Sequence, residues 1–150
     1  MPPEFASTVR PHVEALLEPG ESLQGVAAAT QQKAFSGQLY AIAVTDRRLL
    51  LVPLDRRFQP KGDPTSVTAQ AVARADLDGA GGGWWTAPQA VLDASALTLR
   101  LQTTAGGGFK LMMMKGGGGL MGGLGGGHGQ EEAVLALAEW MRSNLAGPST

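Results

Sequence analysis

The densest group of side chains able to do chemistry is cationic. Arg47, Arg48, Arg56, Arg57 and Lys61 all fall within TDRRLLLVPLDRRFQPKGD, residues 45–63. Such a set suits a phosphate, a carboxylate or an anionic lipid surface, because guanidinium groups match planar anions and basic segments are drawn to negative membranes. Asp46, Asp55 and Asp63 partly neutralise it, and a solvated hairpin end accounts for the same charges. The glycine run GGGGLMGGLGGGHG, residues 116–129, invites a phosphate-loop reading. That loop needs Gly-Lys-Ser/Thr after the glycines, whereas Lys115 precedes them here, and His128 and Gln130 stand where Lys and a hydroxyl are required. No parallel-strand pattern surrounds the run, so a dinucleotide loop is not expected either. Two histidines and no cysteine do not make a zinc set, a disulfide or a thiolate nucleophile. The acidic residues lack EF-hand spacing, and no GxSxG elbow is present. Asp76 and Asp78 flank what reads as a turn, DLDG, and suit turn geometry better than acid/base work. Neither catalysis, nor a resident metal, nor a cofactor is expected.

The totals frame this. The chain has 150 residues, 43% of them apolar, and a net charge of −1. Those values suit one domain, residues 1–150, with a real core and no overall field to gather nucleic acid. No apolar run approaches the roughly 20 residues of a membrane helix, and the N-terminus lacks a signal-peptide core. A soluble cytoplasmic protein is expected. The Ala, Gly and Arg bias suggests a bacterial gene rich in GC.

The elements that must position these residues are mostly strands. LYAIAVTDRRLLLVPL, residues 39–54, alternates with period two on both sides of a charged corner at Thr45-Asp46-Arg47, which predicts a hairpin. Residues 5–18 predict a helix from Phe5, Val9, Val13, Leu16 and Leu17, with Ser7 or Thr8 as cap, Pro11 in the first turn and Glu18-Pro19-Gly20 as the stop. Leu23 to Gln32 reads as a strand despite its alanines, and Ser36-Gly37 as the turn after it. Ser66 to Arg74 reads as one strand, with Val67, Ala69, Ala71 and Ala73 on its buried face. Leu97 to Thr103 and Phe109 to Lys115 form a second hairpin across Gly106-Gly107-Gly108. Gly116 to Gly129 is a loop, and residues 130–146 are an amphipathic helix with Glu131 and Glu132 at its positive end.

Several apolar residues stand out as candidate contacts with a partner. Adjacent Trp84 and Trp85 cannot both enter one core from a strand; packing against the C-terminal helix explains the pair equally well. Met112 and Met114 lie on the outward face of their strand, where methionine suits adaptable contacts, unless the following helix covers them. Leu120, Met121 and Leu124 stud the glycine loop.

In order, the chain is a helix, about seven mostly hairpin-linked strands across residues 22–115, and a C-terminal helix. This layout resembles the pleckstrin-homology (PH) fold. Two phrases are similar to those of bacterial PH-like (YokE-type) domains: Leu17-Glu18-Pro19-Gly20-Glu21, and Ile42-Ala43-Val44-Thr45-Asp46-Arg47-Arg48-Leu49-Leu50-Leu51. The resemblance implies an α+β, mainly β, architecture: an antiparallel barrel with an N-terminal helix and a C-terminal capping helix. Family members that bind inositol phosphates use Lys and Arg in the first hairpin loop, where Gln31 to Gln38 offers only Lys33. Oligomer formation or protein binding is what the bacterial likeness implies.

Three readings follow. The first is a non-catalytic module that binds a protein or itself through Trp84, Trp85, Met112, Met114 and the loop residues, or through an open strand edge. The second is anionic-lipid binding through Arg47, Arg48, Arg56, Arg57 and Lys61. The third is a small-ligand enzyme or carrier relying on His128.

Overall fold

The computed structural model describes residues 5–32, 37–55, 57–78, 96–114 and 128–144. Helix α1 (Phe5–Glu14) is followed by strands β1 (Leu23–Gln32), β2 (Gly37–Thr45), β3 (Leu49–Leu54) and β4 (Thr65–Val67). A 3-10 turn, Ala69–Ala71, leads into β5 (Val72–Asp78), β6 (Ala96–Thr103) and β7 (Gly108–Met114), and the described chain ends with α2 (His128–Asn144).

The strands form one seven-stranded sheet in the order β4-β3-β2-β1-β7-β6-β5. It is antiparallel throughout and curls into a half-barrel. Two meanders, β1 to β4 and β5 to β7, meet where Thr30 and Gln31 of β1 pair with Met112 and Leu111 of β7.

Each face of the first meander has its own core. Inside the curl, Ile42, Val44, Leu49 and Leu51 meet Leu77, Leu97, Leu99, Leu101, Leu111 and Met113 from the second meander. Helix α2 fills this space with Ala133, Val134, Leu137, Trp140 and Met141. Outside, Val26, Ala28, Ala41, Ala43, Leu50, Val52 and Leu54 are covered by Val9 and Val13 of α1 and by Phe58. Covering both faces explains the unbroken apolar run Leu49-Leu50-Leu51-Val52, since a strand with no solvent face has no use for polar alternation. The alanines of β1, poor strand formers in isolation, have a packing reason. α2 crosses β1 so closely that a Cβ on Gly25 would stand 2.7 Å from the Cα of Ala133.

Five expectations need correction. Residues 66–74 are not one strand. β4 ends at Val67, the Ala71 N–H donates to the Thr68 carbonyl at 3.0 Å, and the chain turns. Ala69, Ala71 and Ala73 bury too little area to hold a period-two pattern through that stretch. Asp76-Leu77-Asp78 is strand, not turn: Leu77 is only 2% exposed between two exposed aspartates. Helix α1 stops at Glu14, with Ser7 and Thr8 inside it and Pro11 in its body. The burial of Val9 and Val13 outweighs the lost backbone bond. Gly37 is not in a turn but opens β2 opposite Gln32, so the first hairpin is longer at that end. The C-terminal helix begins two residues early, at His128 rather than Gln130.

Candidate functional site

The polar side chains that the fold brings together are centred on Glu21. Gly20 adopts φ +82°, a left-handed conformation that turns the chain between α1 and β1. The Glu21 N–H donates to the Glu18 carbonyl at 3.0 Å, and its carboxylate Oε1 accepts the Glu18 N–H at 2.9 Å. Its side chain then reaches the β2–β3 corner. Thr45 Oγ1 donates to Oε2 at 2.7 Å, while Arg48 donates through Nε to Oε2 and through Nη2 to Oε1, both at 2.9 Å. Two further Arg48 donors go to the Leu16 carbonyl at 3.2 Å and Ser66 Oγ at 3.1 Å. Thr45 Oγ1 also accepts the backbone N–H groups of Arg47 and Arg48. Beside it, Asp46 and Ser22 exchange two bonds, one through the Asp46 carboxylate and one through its backbone N–H.

The electrostatics follow from this geometry. The Glu21 side chain is 0% exposed and that of Arg48 is 15% exposed. The Arg48 hydrogen bonds hold the Glu21 carboxyl down at about 2 although burial pushes it up, and Glu21 in turn raises the Arg48 guanidinium. Both carboxylate oxygens are occupied, and the group stays ionised at neutral pH. It is a clamp that joins the α1–β1 junction, the β2–β3 corner and β4, with no free lone pair directed at a ligand. Thr45→Val removes one donor to this clamp and should cost about 1–2 kcal/mol in urea unfolding.

The described cationic residues do not form one patch. Arg47 and Arg48 precede β3, and Arg57 and Lys61 follow it. A six-residue strand separates the two pairs by about 17 Å. Arg48 leaves the anion-binding set, because four of its five N–H donors go to Glu21, Leu16 and Ser66 and its charge is paired with Glu21. Arg47 is exposed and lies 3.6 Å from Glu18. Arg57 and Lys61 are exposed beside a tight loop, and Arg56 lies outside the described residues. The Asp55 carboxylate organises that loop by accepting the backbone N–H groups of Gln59 at 3.0 Å and Arg57 at 2.8 Å, which lowers its pKa. Phe58, at φ 63°, pins the loop by inserting into the outer core at 7% exposure. Nothing in the basic stretch had marked Phe58 as core; its one signal was an aromatic residue among charges. Asp55→Ala should quicken amide exchange at Arg57 and Gln59, whose N–H groups lose their acceptor, and should leave β3 folded.

Met112 is half-buried on the outer face of β7, opposite Thr30 and Thr98. α2 covers its neighbour Met113 on the other face. Met114 ends β7 and His128 begins α2; both are described by their backbone alone. Trp84, Trp85, Leu120, Met121 and Leu124 lie outside the described residues.

A different surface emerges at the end of the sheet. β5 pairs with β6 on one side and has no other strand neighbour among the described residues. It points Leu77 inward and exposes Arg74, Asp76 and Asp78. Asp78 lies 3.6 Å from Arg100 on β6. Among the described residues no three His, Cys, Asp or Glu side chains gather to hold a metal, and no helix is long and apolar enough to cross a membrane. Comparison with known proteins found no matching family model, no matching curated protein and no matching solved structure.

Proposed function

We propose that this chain is a non-catalytic PH-like interaction module that binds protein by adding a strand along β5. The observation that carries this reading is the edge itself. Among the described residues Val72 to Asp78 ends the sheet, with one register slip between Val72 and Arg74, while α2 fills the inner core and α1 and Phe58 cover the outer face of the first meander. An edge of this kind offers unpaired backbone donors and acceptors, which bind an extended peptide while alternate side chains select it. The PH-like assignment is supported by the two meanders, by α2 seated inside the curl, and by the contact between the two phrases that resemble the family. Glu21 from one phrase is bonded to Thr45 and Arg48 from the other.

Lipid binding has less support, because the clamp uses Arg48 and β3 separates Arg47 from Arg57 and Lys61. The test of the protein-binding reading is capture from an extract of the source cell by the wild type and by Ala73→Pro. Ala73 has no counterpart on β6, since the register slips between Val72 and Arg74. Proline there blocks strand addition without removing a partnered ladder residue. A captured protein that is lost with Ala73→Pro, at unchanged melting temperature, supports strand addition. Equal capture by both proteins, or none by either, contradicts it.

A further inference from the structure

We infer that the strand β5 accepts is β5 of a second copy, antiparallel about a two-fold axis at Ala75. This rests on the reading of β5 as the interaction edge and names its partner. In a two-fold antiparallel pair, opposite residues lie on the same face of the joined sheet. An axis at Ala75 therefore sets Arg74 of each copy against Asp76 of the other, both on the exposed outer face. Neighbouring axes are worse. At Arg74 or Asp76 the axis residue meets its own like charge, although an axis at Asp76 also sets Arg74 against Asp78, and at Leu77 the carboxylates of Asp76 and Asp78 oppose each other. Opposite charges directly across a strand pair stabilise it, and like charges oppose it. Of these registers, only the one centred on Ala75 has opposite-charge pairs and no like-charge pair.

The surroundings agree with close approach. Ala75 carries only a methyl group, so the two axis residues meet without crowding on the inner face. Arg74, Asp76 and Asp78 lie on the outer face, and in this register Arg74 and Asp76 meet opposite charges across the pair instead of the like charges by which an edge strand resists pairing. Arg100 lies beside Asp76 in the β6 ladder and ion-pairs with Asp78, so its charge is engaged on the far side of β5 from the incoming strand.

The test is light scattering and sedimentation on the full chain over a concentration series, with Arg74→Asp and Asp76→Arg as variants. The wild type should be dimeric. Each variant brings two like pairs together in its own dimer and should raise the dissociation constant roughly tenfold or more. Mixing the two variants sets an edge with two acidic side chains against an edge with two basic ones. Both cross-strand pairs are then of opposite charge again, and the mixture should recover a dimer. Thermal unfolding of each variant separates lost pairing from lost folding. Dimers of undiminished strength in either variant, or a folded mixture that stays monomeric, overturn the register. A wild-type monomer at every concentration overturns self-pairing, while capture lost with Ala73→Pro would still uphold strand addition by another protein.

Discussion

Glu21→Ala is expected to lower the melting temperature by roughly 10 °C or to leave the chain unfolded. The substitution leaves the Arg48 guanidinium, whose side chain is 15% exposed, without its carboxylate. Removing one partner of a buried ion pair costs about 3–5 kcal/mol, and a domain of this size loses about 2–4 °C per kcal/mol. Replacing both partners, as in Glu21→Leu with Arg48→Met, should recover much of the loss, because no charge is then left buried. Urea unfolding of the three variants measures the coupling. A single substitution as harmless as the double one would contradict the clamp.

The same group sets an acid limit. The Glu21 carboxyl is held down at about 2 from an ordinary value of 4.5. Between those values the unfolded chain binds a proton that the folded chain refuses, so stability falls as pH falls through the window. Above 4.5 the contribution is complete. Melting temperature against pH should therefore be steeper between 4.5 and about 2 in the wild type than in Glu21→Gln.

Gly25→Val is the second large effect, expected to cost about 3 kcal/mol, at the upper end for overpacked cores. The added Cβ would stand 2.7 Å from the Cα of Ala133, and a backbone atom cannot move aside as a side-chain tip can. α2 must shift away from β1, and Val134, Leu137 and Met141 lose contact with the inner core. Hydrogen exchange should quicken across α2 more than across the β2–β3 hairpin. Uniform quickening over the whole chain would mean that α2 is not the element displaced.

The β2–β3 hairpin was legible because period two and a charged corner coincide at Thr45 to Arg48. Both end helices were legible from Val9 and Val13 and from Ala133 to Met141, though α1 is shorter than its apolar stripe. The break after Val67 was not, since alanines fit a strand, a turn and a helix with little difference in burial. Asp76-Leu77-Asp78 read as a turn because aspartate favours turns, whereas the buried Leu77 between two exposed carboxylates is a strand pattern. The basic cluster was a neighbourhood in sequence only, because β3 runs through it. The Glu21 clamp joins residues far apart in the chain. Its components stood in the two phrases that resemble the PH-like family, and only the fold shows them as one contact. The self-complementary edge needed β5 to be placed last in the sheet, and local patterns do not specify that order.

The most direct measurement is residue-resolved amide exchange in β5, on the purified chain at low and high concentration and after addition of an extract of the source cell. Strand addition along this edge predicts that outward-facing amides between Arg74 and Asp78 gain protection on association, while those bonded to β6 change little. Association that protects other surfaces and leaves these amides exchanging as before would show that β5 is not the interaction edge.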